Sequence, residues 1–105
     1  MLSFLFYYLL RDPRATAAIR KEVDGVCGSG PVKFEHLQKL KYIDAALKET
    51  LRLKSTAPAF TVAPIDKDEI IGGQYRIPKG TSINVILDSL HRDSAVWGED
   101  AEEFR

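Results

Sequence analysis

The chain opens on MLSFLFYYLL, ten residues without a charge, and turns polar at Arg11 and Asp12. A bilayer span takes about 20 apolar residues, so this run is too short to cross one. It also lacks the basic start and small-residue cleavage site of a signal peptide. It predicts the end of a buried helix. The following RDPRATAAIRKEVDGVCGSGP carries the marks of a second helix. Asp12 can cap it and Pro13 can sit in its first turn, where a missing N–H costs nothing. Ile19, Val23 and Cys27 recur at helical spacing as one apolar stripe, with Arg14, Arg20, Lys21, Glu22 and Asp24 on the wet sides. Gly28, Gly30 and Pro31 stop it.

A further helical pattern covers Phe34 to Leu53, with a break near Lys39. Leu40, Ile43, Leu47 and Leu51 form one stripe. On the opposite side Glu49 has Tyr42, Ala45, Ala46 and Leu53 for neighbours, and Lys39, Lys41 and Lys48 keep to the flanks. A helix with two apolar faces is packed on both sides in a sizeable protein. Glu49 and Arg52, three residues apart, lie on or beside the second face. An exposed pair at that spacing contributes only about 0.2–0.5 kcal/mol. A buried pair needs fixed partners for each charge. The pattern leaves three roles open: a buried structural pair, a surface pair or a catalytic pair.

The period then shifts to two. In APAFTVAP, prolines bracket a β-rich core that suits a short edge strand. DKDEIIGGQYRIPKGTSINVILDSL predicts a hairpin and then a longer strand, with turns at Gly72–Gly73 and Pro78–Lys79–Gly80. Thr81, Ile83, Val85 and Leu87 alternate with Ser82, Asn84, Ile86 and Asp88. In HRDSAVWGEDAEEFR, Asp93 can cap one helical turn that reaches Trp97 and ends at Gly98. The fold class is α+β, mainly α.

Composition narrows the function. The 105 residues hold 15 basic and 15 acidic side chains and are 45% hydrophobic, a globular balance. Zero net charge gives no bulk attraction to nucleic acid or an anionic membrane, and neither is indicated as a partner. The single cysteine, Cys27, cannot build a disulfide framework and points to a reducing, cytoplasmic setting. It reads as a small apolar residue of its stripe. His36, on a polar helix start, reads as solvated, and His91 with Arg92 and Asp93 as the anchor of a turn. No phosphate loop, nucleophile elbow or metal-spaced histidine pair occurs. The residues by themselves predict an α+β piece of a larger protein, with no catalytic residue and no metal site.

Taken in order, LKYIDAALKETLRL, APAF, GGQYRIPKGT and SLHRDSAVWGEDAEEFR resemble the C-terminal half of a cytochrome P-450, a haem-thiolate monooxygenase. APAF, GGQY and VWGEDAEEFR look most like the self-sufficient fatty-acid hydroxylases, whose haem domain is fused to a flavin reductase. The resemblance implies that residues 1–30 are the end of the I helix and the J helix, and that 34–54 are the K-helix region. It makes 56–90 the β-strand region and 91–105 a turn and the start of the meander. Glu49 and Arg52 become the family's Glu-x-x-Arg pair, joined by an arginine that would follow Arg105 in a buried network behind the haem. That network holds the loop bearing the cysteine ligand and does no acid–base work. Thr56, Ala57, Pro58 and Ala59 become a wall of the substrate and haem pocket, with the methyls of Ala57 and Ala59 turned inward. Without the resemblance they are an ordinary proline-stiffened loop.

The implied cofactors are haem, with NADPH and flavins acting through a reductase. The implied partners are O2, a small apolar substrate such as a fatty acid, and that reductase, fused or separate. The reaction inserts one oxygen atom of O2 into the substrate. The sequence also departs from the family. It has no Phe-x-x-Gly run leading to Cys-x-Gly, and Cys27 does not stand in for the axial ligand. The I-helix threonine would precede Met1, and Lys54 and Ser55 replace an apolar residue and a proline. The expectation is therefore a chain inactive alone. The alternative is a truncated product or remnant that binds no haem, and a small independent module is a third reading.

Overall fold

The computed structural model describes residues 1–105. Helix α1 (Leu2–Arg11) and helix α2 (Pro13–Cys27) meet at Asp12. The Asp12 carboxylate accepts from the N–H groups of Arg14 at 2.9 Å and Ala15 at 3.2 Å, so it caps α2 as the sequence predicts. These N–H groups also hold the Asp12 carboxyl below its usual range, the Ala15 bond most. Thr16 Oγ1 donates to Leu9 O at 2.6 Å and clasps the two helices across the corner. Gly28 takes φ 61°, a left-handed conformation that glycine adopts without strain, and ends α2.

The break near Lys39 separates α3 (Phe34–Leu37) from α4 (Lys41–Leu53). His36 is half-buried rather than free in solvent: its Nδ1 accepts the Lys33 N–H at 3.2 Å and so closes the start of α3. The start of α4 is held by a residue from another helix. Glu22 of α2 accepts the N–H of Tyr42 at 2.7 Å and of Ile43 at 3.0 Å. Those amides have no partner within α4, and the helix dipole favours an anion there.

Strand β1 (Ala59–Val62) forms between the two prolines, β2 (Glu69–Ile71) and β3 (Tyr75–Ile77) form the hairpin, and β4 (Ile83–Ile86) follows. The hairpin stands as its own two-stranded sheet, with Ile70 opposite Arg76. The longer strand does not extend it. β4 instead crosses back to β1, antiparallel, with Phe60 opposite Val85. The 78–80 turn steers it there, with Gly80 N donating to Pro64 O at 2.9 Å.

The alternation over Ile83 and Val85 is kept, but the strand stops at Ile86. Leu87–Leu90 is a helical turn, α5, where the sequence pattern predicts continued strand. His91 N closes it onto Leu87 O at 2.8 Å, and Asp88 pairs with Arg92 one turn on. Local helix bonds outcompete the pleat once β1 has run out of partners. Helix α6 (Ser94–Trp97) starts at Asp93, whose carboxylate accepts from Ala95 N at 2.9 Å, and ends at Gly98 as predicted.

The elements spread over 58 × 32 × 23 Å with a radius of gyration of 19.0 Å, against about 13 Å for a compact chain of this length. Only 8 of 105 residues are buried, so no closed core exists. The opening run is helical as expected but mostly open, with Leu5 covered and Phe4, Phe6, Tyr7 and Leu10 exposed. α2 and α4 cover one stripe of α1, Phe104 stacks on Tyr8 at 5.0 Å, and much of the remaining apolar surface is open.

Candidate functional site

The buried side of α4 turns the residues Ala46, Thr50 and Leu53 inward. Thr50 has no accessible surface, and its hydroxyl donates to Ala46 O at 2.8 Å, which satisfies its proton inside the helix.

Arg52 is 5% exposed and Glu49 14%. The two meet as a fork. Arg52 Nε donates to Glu49 Oε2 at 2.9 Å and Nη2 to Oε1 at 2.7 Å. The remaining Arg52 protons go to main-chain carbonyls: Nη1 to His91 O at 2.8 Å and Ala101 O at 2.5 Å, Nη2 to Glu103 O at 2.9 Å. All five donors of the guanidinium are used. The bond to Glu49 pushes the Arg52 pKa up, and burial opposes it. The Trp97 ring lies 5.1 Å from the guanidinium carbon and covers the cation. Glu49 Oε1 also accepts from Arg105 N at 3.3 Å. With every proton committed, Arg52 has none free for a substrate.

Sequence reasoning missed Arg92, Thr50, Trp97 and Glu22 as members or supports of this arrangement. Arg92 Nη2 donates to Leu53 O at 2.6 Å, and Nη1 pairs with Asp88. Its Nε lies 2.9 Å from Glu102 Oε2 but off the hydrogen-bond line. The Asp88 contact, above all, raises the Arg92 pKa. The four-residue spacing of Asp88 and Arg92 was the available signal, hidden by reading 87–90 as strand. His91 anchors its turn through its carbonyl; its ring Nδ1 is buried without a partner, and the ring meets Trp97 edge to face at 6.3 Å.

Thr56, Ala57, Pro58 and Ala59 lie apart from the fork, exposed, at and before the start of β1. The Ser55 hydroxyl bridges to Ala57, donating to its carbonyl at 2.8 Å. None of the four lines any of the three main cavities. The largest of the three main cavities, about 470 Å³, lies between the start of α2, the middle of α4 and Glu103–Arg105.

A sequence profile described as Cytochrome P-450 matches residues 1–105. The chain belongs to the cytochrome P-450 family. It is 53% identical over 105 residues to a self-sufficient cytochrome P-450 monooxygenase of Penicillium camemberti, covering 100% of this chain and 10% of that protein. It is 50% identical, with the same coverage, to one of Aspergillus terreus. To a bifunctional cytochrome P-450/NADPH–P-450 reductase of Gibberella moniliformis it is 44% identical, over 100% of this chain and 9% of that protein. The chain thus spans about a tenth of the length of these relatives.

A cytochrome P-450 implies haem with an axial thiolate. The residues of this P-450 segment do not supply that ligand. Cys27 sits half-buried at the end of α2 and lines none of the three main cavities. No three His, Cys, Asp or Glu side chains converge as a metal site. No helix is long and apolar enough to cross a membrane.

Proposed function

We propose that this chain works as the K-helix segment of a longer haem-thiolate monooxygenase. In that reading Glu49 and Arg52 fasten the stretch from His91 to Arg105 and take no part in proton transfer. Thr56, Ala57, Pro58 and Ala59 form one wall of the substrate pocket. The whole protein inserts one atom of O2 into an apolar substrate such as a fatty acid, with electrons from NADPH through a flavin reductase and a cytoplasmic setting. The observation that carries the reading is the saturated guanidinium of Arg52, which gathers three carbonyls 39 to 51 residues downstream. An arginine used this way fixes backbone position regardless of the side chains there.

A segment exchange tests it. These 105 residues replace the matched stretch of the Penicillium camemberti monooxygenase, and the product is assayed with NADPH and dodecanoic acid. We expect haem uptake, a thiolate-type spectrum after reduction and carbon monoxide, and hydroxylated product. Haem uptake without oxidation of dodecanoic acid or other apolar probes contradicts the proposed activity.

A second reading, a non-catalytic polypeptide, is favoured by the near absence of a core, with 8 of 105 residues buried. Failure of the exchanged protein to take up haem supports that reading over the first.

A further inference from the structure

Beyond the Lys54 N–H, which donates to Thr50 O at 2.8 Å, the turn Lys54–Pro58 has few bonds to hold it. Thr56, Ala57 and Pro58 are exposed, and the only side-chain bonds within the turn are those between Ser55 and Ala57. Its placement depends on its two ends, and both ends are bonded to the stretch Leu87–Arg92. At the far end Leu87 N donates to Pro58 O at 2.9 Å. At the near end Arg92 Nη2 donates to Leu53 O at 2.6 Å, while Nη1 pairs with Asp88, the residue after Leu87. Leu53 O is among the last carbonyls of α4, which no helical N–H can reach, and it lies at the negative end of the helix dipole. A guanidinium is suited to this bridge. It is planar, always charged, and can serve a carbonyl and a carboxylate at once. The Arg92 side chain is 19% exposed, shielded enough for the bridge to hold its geometry.

We infer that Arg92 is a positioning residue for the Thr56–Ala59 turn, and that through it Arg92 sets which carbon of a substrate chain is oxidised. This rests on the reading that the turn is a wall of the substrate pocket. How far a flexible alkyl chain passes that wall decides which C–H bond is presented. A small shift of the wall therefore changes the product ratio more than the total rate. The arginine touches no substrate and acts only through the backbone of residues 53–58.

The test uses the segment-exchanged Penicillium camemberti monooxygenase with dodecanoic acid, and reads the ratio of hydroxylated positions per haem-loaded protein. Three variants are compared: Arg92→Gln, Arg92→Lys and Ala57→Val. Arg92→Gln drops the charge bridge to Asp88 and shortens the reach toward Leu53 O. Arg92→Lys keeps the charge but cannot span both partners. We expect the arginine variants to change the ratio by about threefold or more, below the tenfold or greater effect of a whole methylene contact. Lys should be the milder of the two and remains measurable should Gln load haem poorly. Ala57→Val should shift the ratio directly. An unchanged ratio in both arginine variants with a shifted one in Ala57→Val overturns the inference and leaves the pocket-wall reading standing. An unchanged ratio in Ala57→Val overturns the pocket-wall reading, and the inference with it.

Discussion

Glu49 and Arg52 face each other edge to edge on one turn of α4, two parallel bonds of 2.9 and 2.7 Å joining carboxylate to guanidinium. Exposures of 14% and 5% put the pair well out of bulk water. Each charge therefore depends on the other, Arg52 also on the carbonyls around it and Glu49 on the Arg105 amide.

Glu22 is expected to stabilise the start of α4. Glu22→Ala removes both acceptors for Tyr42 and Ile43, with a loss of about 0.5–2 kcal/mol, as for other helix caps. Amide hydrogen exchange should speed up at Tyr42 and Ile43 first. Unchanged exchange at those two amides counts against the cap.

Thr50 should tolerate a change of chemistry better than a change of size. Thr50→Val keeps the shape and loses the bond to Ala46 O, at about 0.5–1.5 kcal/mol. Thr50→Leu adds volume at a side chain with no accessible surface, at about 1–3 kcal/mol. Thermal melts of the segment-exchanged protein rank the two, and a reversed order would show the site to be loosely packed.

Asp68 ties the base of the hairpin. It accepts from Lys79 N at 2.8 Å and from Arg76, and these bonds, the Lys79 amide first, hold its pKa below the ordinary 3.8. A lowered pKa means the hairpin's gain is complete above that ordinary value. It fades as pH falls through the lower folded value. Nuclear magnetic resonance of the Lys79 amide should report this acid-side loss, and Asp68→Asn should remove the pH dependence.

The sequence patterns carried the helices and the caps, because those are written locally. Asp12 with Pro13, Asp93 with Gly98 and the break near Lys39 all lie where the pattern puts them. The β4–β1 pairing was not legible, since Ile83 and Val62 are far apart in sequence and either sheet could have received the strand. The Leu87–Leu90 turn was masked by alternation that continues two residues past the strand, through Leu87 and Asp88. The Glu49–Arg52 pair was visible as a spacing. Its carbonyl partners were not, because a main-chain oxygen leaves no mark on residue identity at His91, Ala101 or Glu103.

The isolated 105-residue chain should behave as its open surface implies. Leu10 and Phe34 are more than four-fifths exposed, and no core closes over α1. Dye binding and a broad, weakly cooperative melt are expected. A sharp transition in a monomer contradicts this.

The most direct test of the central claim is Glu49→Gln in the segment-exchanged protein, with haem per protein and rate per haem measured in one preparation. Stranding the Arg52 cation costs about 3–5 kcal/mol, a large part of a domain's stability of about 5–15 kcal/mol. Haem-loaded yield should collapse, while the fraction that does carry haem turns over at close to the parental rate. A surface pair would cost under about 1 kcal/mol and change neither quantity. A catalytic acid would leave haem content intact and lower the rate by about a hundredfold or more. Normal haem content in Glu49→Gln contradicts the fastening role.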